Sequence, residues 1–127
     1  MTTVGIATGA GRGTGQACAS RLADLVDVLL LVDRDEAAVA RQVLRERGHG
    51  GFVAEPFTAD TADRDDMARL AARAGELGTL RAVAHAEGVT PEEADWRGML
   101  QADFVATALV AEALRPLAGA GTGSSIA

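Results

Sequence analysis

The segment Thr8-Gly9-Ala10-Gly11-Arg12-Gly13-Thr14-Gly15 places four glycines, two threonines and one arginine within eight residues. A glycine-rich turn between a strand and a helix lets backbone approach two phosphates closely, where side chains would block the way. The helix that follows adds unpaired N–H groups and the positive end of its dipole. The chemistry this suits is the binding of a dinucleotide pyrophosphate. The strict G-x-G-x-x-G spacing is not met; the spacing present is T-G-x-x-x-G-x-G. Taken alone, the segment also reads as a plain glycine-rich loop with no ligand. Thr8, Gly9, Gly11, Arg12, Gly13, Thr14 and Gly15 are the candidate cofactor-binding residues of this turn.

An acidic residue, Asp33, follows about 20 residues on, at the end of an apolar run. A carboxylate at that place accepts hydrogen bonds from the adenosine ribose hydroxyls. It also repels a 2′-phosphate, which favours NAD over NADP. Arg34 and Arg12 weigh the other way, because either could reach a 2′-phosphate. The plainer reading of Asp33-Arg34-Asp35 is a solvated turn followed by a helix cap.

These residues need elements to position them. Val4 to Ala7 reads as a buried strand that runs directly into the glycine turn. Residues 16–25 read as a helix, with Ala17, Leu22 and Leu25 near helical spacing. Val28-Leu29-Leu30-Leu31-Val32 is an unbroken apolar run, which suits a strand covered on both faces of a parallel sheet. Asp35 can cap a helix running to about Arg47, ended by Gly48. Residues 52–59 form a third strand interrupted by Pro56, which predicts a sheet edge. Asp63 begins another helical pattern through Met67, Leu70, Ala71, Ala74 and Leu77, and Leu80 to Ala84 reads as a fourth strand. A long helix is expected from Asp95 to about Leu117, apolar almost all round from Ala102 to Leu114, so it expects neighbours on more than one side. Ser124 to Ala127 looks like the start of a fifth strand. Strands and helices alternate throughout, which predicts an α/β fold: a Rossmann-type doubly wound parallel sheet in a single domain over residues 1–127.

Composition removes several function classes. Net charge is −6, and all 12 basic residues are arginine, so no basic nucleic-acid footprint is present. No apolar run approaches the roughly 18 residues of a membrane span, and no signal peptide is evident. Cys18 is the single cysteine, which excludes an intrachain disulfide and is compatible with a reducing cytosol. A cytoplasmic location is expected. Aromatic residues make up only 3% of the chain, so the core must be built from Ala, Val and Leu.

Together, Thr8-Gly9-x-x-x-Gly13-x-Gly15, the strand Leu29 to Asp33, and Ala59-Asp60-Thr61 resemble the short-chain dehydrogenase/reductase family. The resemblance extends in order through His85-Ala86-Glu87-Gly88 and the helix entered at Asp95-Trp96. It implies strand order 3-2-1-4 with a partial fifth strand. It also implies that Asp60 contacts the adenine through its side chain and Thr61 through its backbone. Ala86 and Gly88 would lie beside the nicotinamide ribose. The implied function is NAD(P)-dependent hydride transfer between nicotinamide and a small alcohol or carbonyl compound. The long helix implies a homo-oligomer, since in the family it commonly packs on its counterpart in a second subunit.

The departures from the family pattern concern catalysis. The segment His85 to Gly88 stands where the family usually has Asn-Asn-Ala-Gly, so Ala86 replaces a bracing Asn and Glu87 replaces Ala. His85 reads as a structural histidine at a strand end rather than as a base. Asp103 falls where the family has an Asn that holds a relay water. The family's carbonyl-polarising Ser lies on strand five, followed by a Tyr-x-x-x-Lys motif on the next helix. No Tyr and no Lys occurs in this chain, and Ser124 and Ser125 sit too early in their strand to substitute. No catalytic or metal-ligating residue is assigned. The chain is expected to be cut off within strand five, to carry the cofactor-binding half, and to be inactive alone. The alternative is a non-catalytic dinucleotide-binding or regulatory module.

Overall fold

The computed structural model describes residues 1–11, 13–34, 53–86, 106–118 and 125–126. Within these, five strands form one sheet: β1 (Thr3–Thr8), β2 (Val28–Asp33), β3 (Val53–Thr58), β4 (Thr79–His85) and β5 (Ser125–Ile126). All neighbours pair in parallel, in the order β3-β2-β1-β4-β5. Three helices flank the sheet: α1 (Gly13–Leu22), α2 (Arg64–Leu77) and α3 (Ala106–Ala118). This is the doubly wound Rossmann-type arrangement that the alternation of elements predicts.

The reason lies in β2. Leu29, Leu30, Leu31 and Val32 are all buried, and successive side chains point to opposite faces. Leu30 and Val32 join Val4, Ile6 and Val83 beneath α2 and α3, where Met67, Leu70, Leu109, Val110 and Leu114 close the core. Leu29 and Leu31 face the other way and meet Ala19, Leu22 and Val26 in a smaller, alanine-rich core with α1. An unbroken apolar run is therefore required, because both faces are dry.

Pro56 lies opposite Leu31 on β3, which among the described residues pairs only with β2 and forms the edge. An edge strand tolerates the missing N–H. α2 starts where the helical pattern from Asp63 was expected to begin, and Asp63 is its cap: its carboxylate accepts from the Asp66 N–H at 3.0 Å.

Two expectations need correction. The helix expected over residues 16–25 instead spans Gly13–Leu22. Its start moves back because Gly13 and Gly15 enter the first turn. Its end comes early because the N–H groups of Asp24 and Leu25 turn back to Arg21 and Leu22, a tighter pattern than α. Leu25, expected on the apolar face, is 58% exposed as a result. The expected strand over 52–59 is Val53–Thr58. In the described part of the long helix, Leu109, Val110 and Leu114 are buried against α2 and β4, while Ala108, Ala111 and Glu112 are exposed. The expected helix over 35–47 and the first part of the 95–117 helix lie outside the described residues.

Leu30→Ala removes a fully buried side chain from the larger core and is expected to cost about 2–5 kcal/mol. Asp63→Ala removes one helix cap and is expected to cost about 1 kcal/mol. Urea unfolding of the two variants beside the parent chain checks both the values and their order.

Candidate functional site

The chemistry-bearing residues converge at the carboxyl ends of the parallel strands, where open α/β sheets hold their ligands. β1 ends at Thr8 and the chain turns through Gly9, Ala10 and Gly11. Gly9 has φ 61°, a conformation that L side chains rarely adopt. The first turn of α1 then sits on this turn so closely that a Cβ at Gly15 would stand 1.9 Å from the Gly9 carbonyl oxygen. Only glycine permits that approach. The N-terminus of α1 is thereby brought against the turn, with no acidic residue in its first turn.

Three further contacts fix the turn. The Ala10 N–H donates to the Val32 carbonyl at 3.2 Å. The Gly11 N–H donates to Asp33 Oδ2 at 3.1 Å. The Gln16 side-chain amide donates to the Gly11 carbonyl at 3.4 Å. Asp33 is half-buried at the end of β2, and Arg34 beside it is exposed.

The loop after β3 meets the same place. The Ala59 N–H donates to the Asp33 carbonyl at 3.2 Å. Asp60 accepts the Ala62 N–H on Oδ1 at 2.9 Å and the Asp63 N–H on its own carbonyl at 2.9 Å. Thr61 is buried. Asp60 also donates its N–H to Asp66 Oδ2 at 2.9 Å.

On the other side of β1, the buried Thr8 hydroxyl and His85 Nδ1 are hydrogen-bonded at 2.5 Å. Burial pushes the His85 imidazole below its ordinary 6.5. The neutral ring and the Thr8 bond fit the structural role expected of it. Ala86 follows, half-buried. The sequence-predicted residues Thr8, Gly9, Gly11, Gly13, Gly15, Asp33, Arg34, Asp60, Thr61 and Ala86 thus lie along one edge of the sheet. Arg12, Glu87, Gly88, Asp103 and Ser124 lie outside the described residues, as does the side chain of Thr14. Ser125 pairs with Ala82 and Ile126 with Val83, so Ser125 stands level with a point three residues before His85.

Sequence reasoning missed two participants, Gln16 and Asp66, and the pairing of Thr8 with His85. Gln16 braces the turn from within α1. Thr8 and His85 are partners 77 residues apart. Asp66 reaches back to Asp60; its place three residues after the cap Asp63 was a readable sign, since side chains there commonly reach backward.

The residues fit the adenosine and pyrophosphate portions of a dinucleotide. A Cβ added at Gly15 would meet the Gly9 carbonyl, so the close approach of α1 to the turn depends on glycine there. The Asp33 carboxylate stands beside the turn and accepts the Gly11 N–H.

A family model described as short chain dehydrogenase matches residues 3–127. No curated protein matches the chain. Among solved structures, a short-chain type dehydrogenase/reductase from Mycobacterium ulcerans superposes with a TM-score of 0.82 at 25% identity, covering 98% of this chain and 49% of the other. A putative short-chain dehydrogenase/reductase from Burkholderia xenovorans gives 0.81 at 24% identity, covering 98% and 54%. The Pseudomonas aeruginosa RhlG/NADP active-site complex gives 0.74 at 24% identity, covering 91% and 46%. The chain spans about half the length of these neighbours.

The depressed His85 basicity carries a pH dependence. A group kept neutral by burial contributes stability that is whole above its unfolded value of 6.5 and is lost as pH falls below it. Glu55 and Asp66 are held below their ordinary values, Glu55 by Arg73 and Asp66 by Arg69 and the Asp60 N–H, so their contributions fade only at lower pH. Between pH 7 and 5, the parent chain is expected to lose stability more steeply than His85→Gln. Urea midpoints measured across that window check it, and parallel slopes would contradict it.

Proposed function

The chain belongs to the short chain dehydrogenase family, and from that premise we propose that it is the cofactor-binding half of an NAD(P)-dependent oxidoreductase acting on an alcohol or carbonyl compound. The observation that carries this reading is the joint arrangement at the end of β2: a glycine turn held against Asp33, with α1 packed onto it at Gly15. Nicotinamide, when bound, supplies the hydride chemistry.

The chain's own residues do the holding. Gly9, Gly11, Gly13 and Gly15 let backbone approach the pyrophosphate, and the first N–H groups of α1 donate to it, Thr14 among them. Asp33 accepts from the adenosine ribose hydroxyls. Asp60 faces the adenine, with Thr61 contributing through its backbone. Ala86 and Gly88 line the nicotinamide ribose through their backbone. The carboxylate of Asp33 opposes a 2′-phosphate, so NAD is favoured over NADP; Arg34 and Arg12 are the groups that would soften the preference.

The chain holds no tyrosine and no lysine. The proton delivery that the family draws from those residue types is therefore not supplied by this chain, and we assign it no turnover alone. Loss of a general acid typically costs about 10²–10⁴-fold. Residues 1–127 act as one dinucleotide-binding unit, and the exposed Ala108 and Ala111 side of the long helix is the surface through which two copies would pair. No described helix is long and apolar enough to cross a membrane. A cytoplasmic location is the reading that suits nicotinamide chemistry and a single half-exposed cysteine.

Calorimetric titration tests the proposal. Saturable NAD binding is expected, with NADP weaker. Gly15→Val is expected to abolish binding, because its Cβ meets the Gly9 carbonyl. Asp33→Ala removes a charged acceptor and is expected to weaken NAD by about 10-fold or more. A folded chain that binds neither dinucleotide overturns the proposal, and turnover of an alcohol with NAD by this chain overturns the assignment of inactivity.

A further inference from the structure

Three interactions tie α2 to β3 and the loop beyond it. Arg73 makes a two-pronged pair with Glu55, at 2.8 Å from Nε and 2.6 Å from Nη2, and also reaches Glu76 at 3.1 Å. Arg69 lies over the Phe57 ring, 5.3 Å from its centroid. Asp66 takes the Arg69 guanidinium on Oδ1 at 2.8 Å and the Asp60 N–H on Oδ2 at 2.9 Å. The helix positions run 73, 69, 66 while the strand side runs 55, 57, 60. Four helical residues rise about 6 Å and two strand residues about 6.6 Å, so the first two rungs are matched; the third lies beyond the end of β3.

The last rung is unlike an ordinary cap. In a capping box the side chain three residues into the helix returns to the N–H of the cap itself. Here the cap's N–H, that of Asp63, goes to the Asp60 carbonyl. The Asp66 carboxylate passes it by and takes the N–H of Asp60, six residues back. The other bonds of Asp60 come from Ala62 and Asp63, which belong to the same turn and move with it. The bond to Asp66 ties Asp60 directly to a side chain in the first turn of α2.

We propose that Asp66 is a positioning residue for the base end of the dinucleotide: by holding the Asp60 N–H, with Arg69 fixing its own carboxylate, it aims the Asp60 side chain at the exocyclic amine of the adenine. The inference rests on the dinucleotide reading above. Asp66 is not itself in contact with ligand. Its side chain is 27% exposed, and its partner Arg69 is 58% exposed, so the pair leaves the core undisturbed.

The test compares NAD with nicotinamide hypoxanthine dinucleotide, in which a carbonyl replaces the adenine amine. A carboxylate aimed at that position accepts from the amine and repels the carbonyl. The parent chain is expected to prefer NAD by about tenfold or more, the size of one hydrogen bond to a charged group. In Asp66→Ala the preference is expected to collapse toward one. Asp66→Asn keeps an acceptor oxygen and is expected to retain it. Arg69→Ala, a surface change that leaves cap and loop intact, is expected to lower the preference about twofold, in keeping with an exposed pair. A merely structural role would lower both affinities together and leave the ratio unchanged. An unchanged ratio in Asp66→Ala overturns the positioning role; should that variant not fold, an unchanged ratio in Arg69→Ala does so. A parent chain that binds both dinucleotides equally also overturns it while leaving the dinucleotide reading intact. Binding of neither overturns the dinucleotide reading itself.

Discussion

At the end of β2 the backbone runs out of sheet partners, and its last groups organise everything around them. The Val32 carbonyl turns toward β1 and takes the Ala10 N–H; the Asp33 carbonyl turns toward β3 and takes the Ala59 N–H. The Asp33 carboxylate then takes the Gly11 N–H. Successive carbonyls of a strand point in opposite directions, so one strand end can hold two loops. Buried backbone donors must be paired, and here that requirement fixes the glycine turn and the Asp60 loop relative to each other. The site is therefore set by β2, and β2 is set by the four buried side chains that fill both cores.

The second constraint is steric. Gly9 at φ 61° and Gly15 against its carbonyl let α1 begin almost within the turn. A glycine costs roughly 0.5–1 kcal/mol in a helix interior, so propensity argues for starting α1 later. The close approach overrides it. That is why the turn was legible in the sequence while the helix boundary was not. The spacing T-G-x-x-x-G-x-G marks which backbone must come close, but propensity has no account of what it comes close to.

The same division runs through the molecule. The run Val28 to Val32, the proline at position 56 and the aspartate at 63 each act through local chemistry, and they were readable as buried strand, sheet edge and helix start. Leu25 was misplaced because the turn after Leu22 tightens, a matter of two backbone bonds that no apolar spacing encodes. Thr8 with His85 depends on which strands the topology sets side by side, and Arg73 with Glu55 on which strand α2 packs beside. Reading them requires the parallel crossover first. The site was legible as a set of residues, then, but not as a set of contacts.

The two helix N-termini at this edge of the sheet show how one backbone feature is given two uses. α2 opens with Asp65 and Asp66 in its first turn, and Asp63 occupies one of its free N–H groups. Its positive end is answered from within the chain. α1 opens on Gly13-Thr14-Gly15 with no acidic residue in its first turn. A carboxylate there would take the N–H groups that a phosphate needs. In a chain with net charge −6, keeping acids away from one helix start is a constraint in its own right. On the dinucleotide reading proposed above, the carboxylates at the strand ends stand instead where hydroxyls and an amine would be met: Asp33 beside the turn and Asp60 beyond β3, each held by a backbone N–H. On that reading the placement of acids, rather than the glycines alone, gives the site a phosphate end and a nucleoside end.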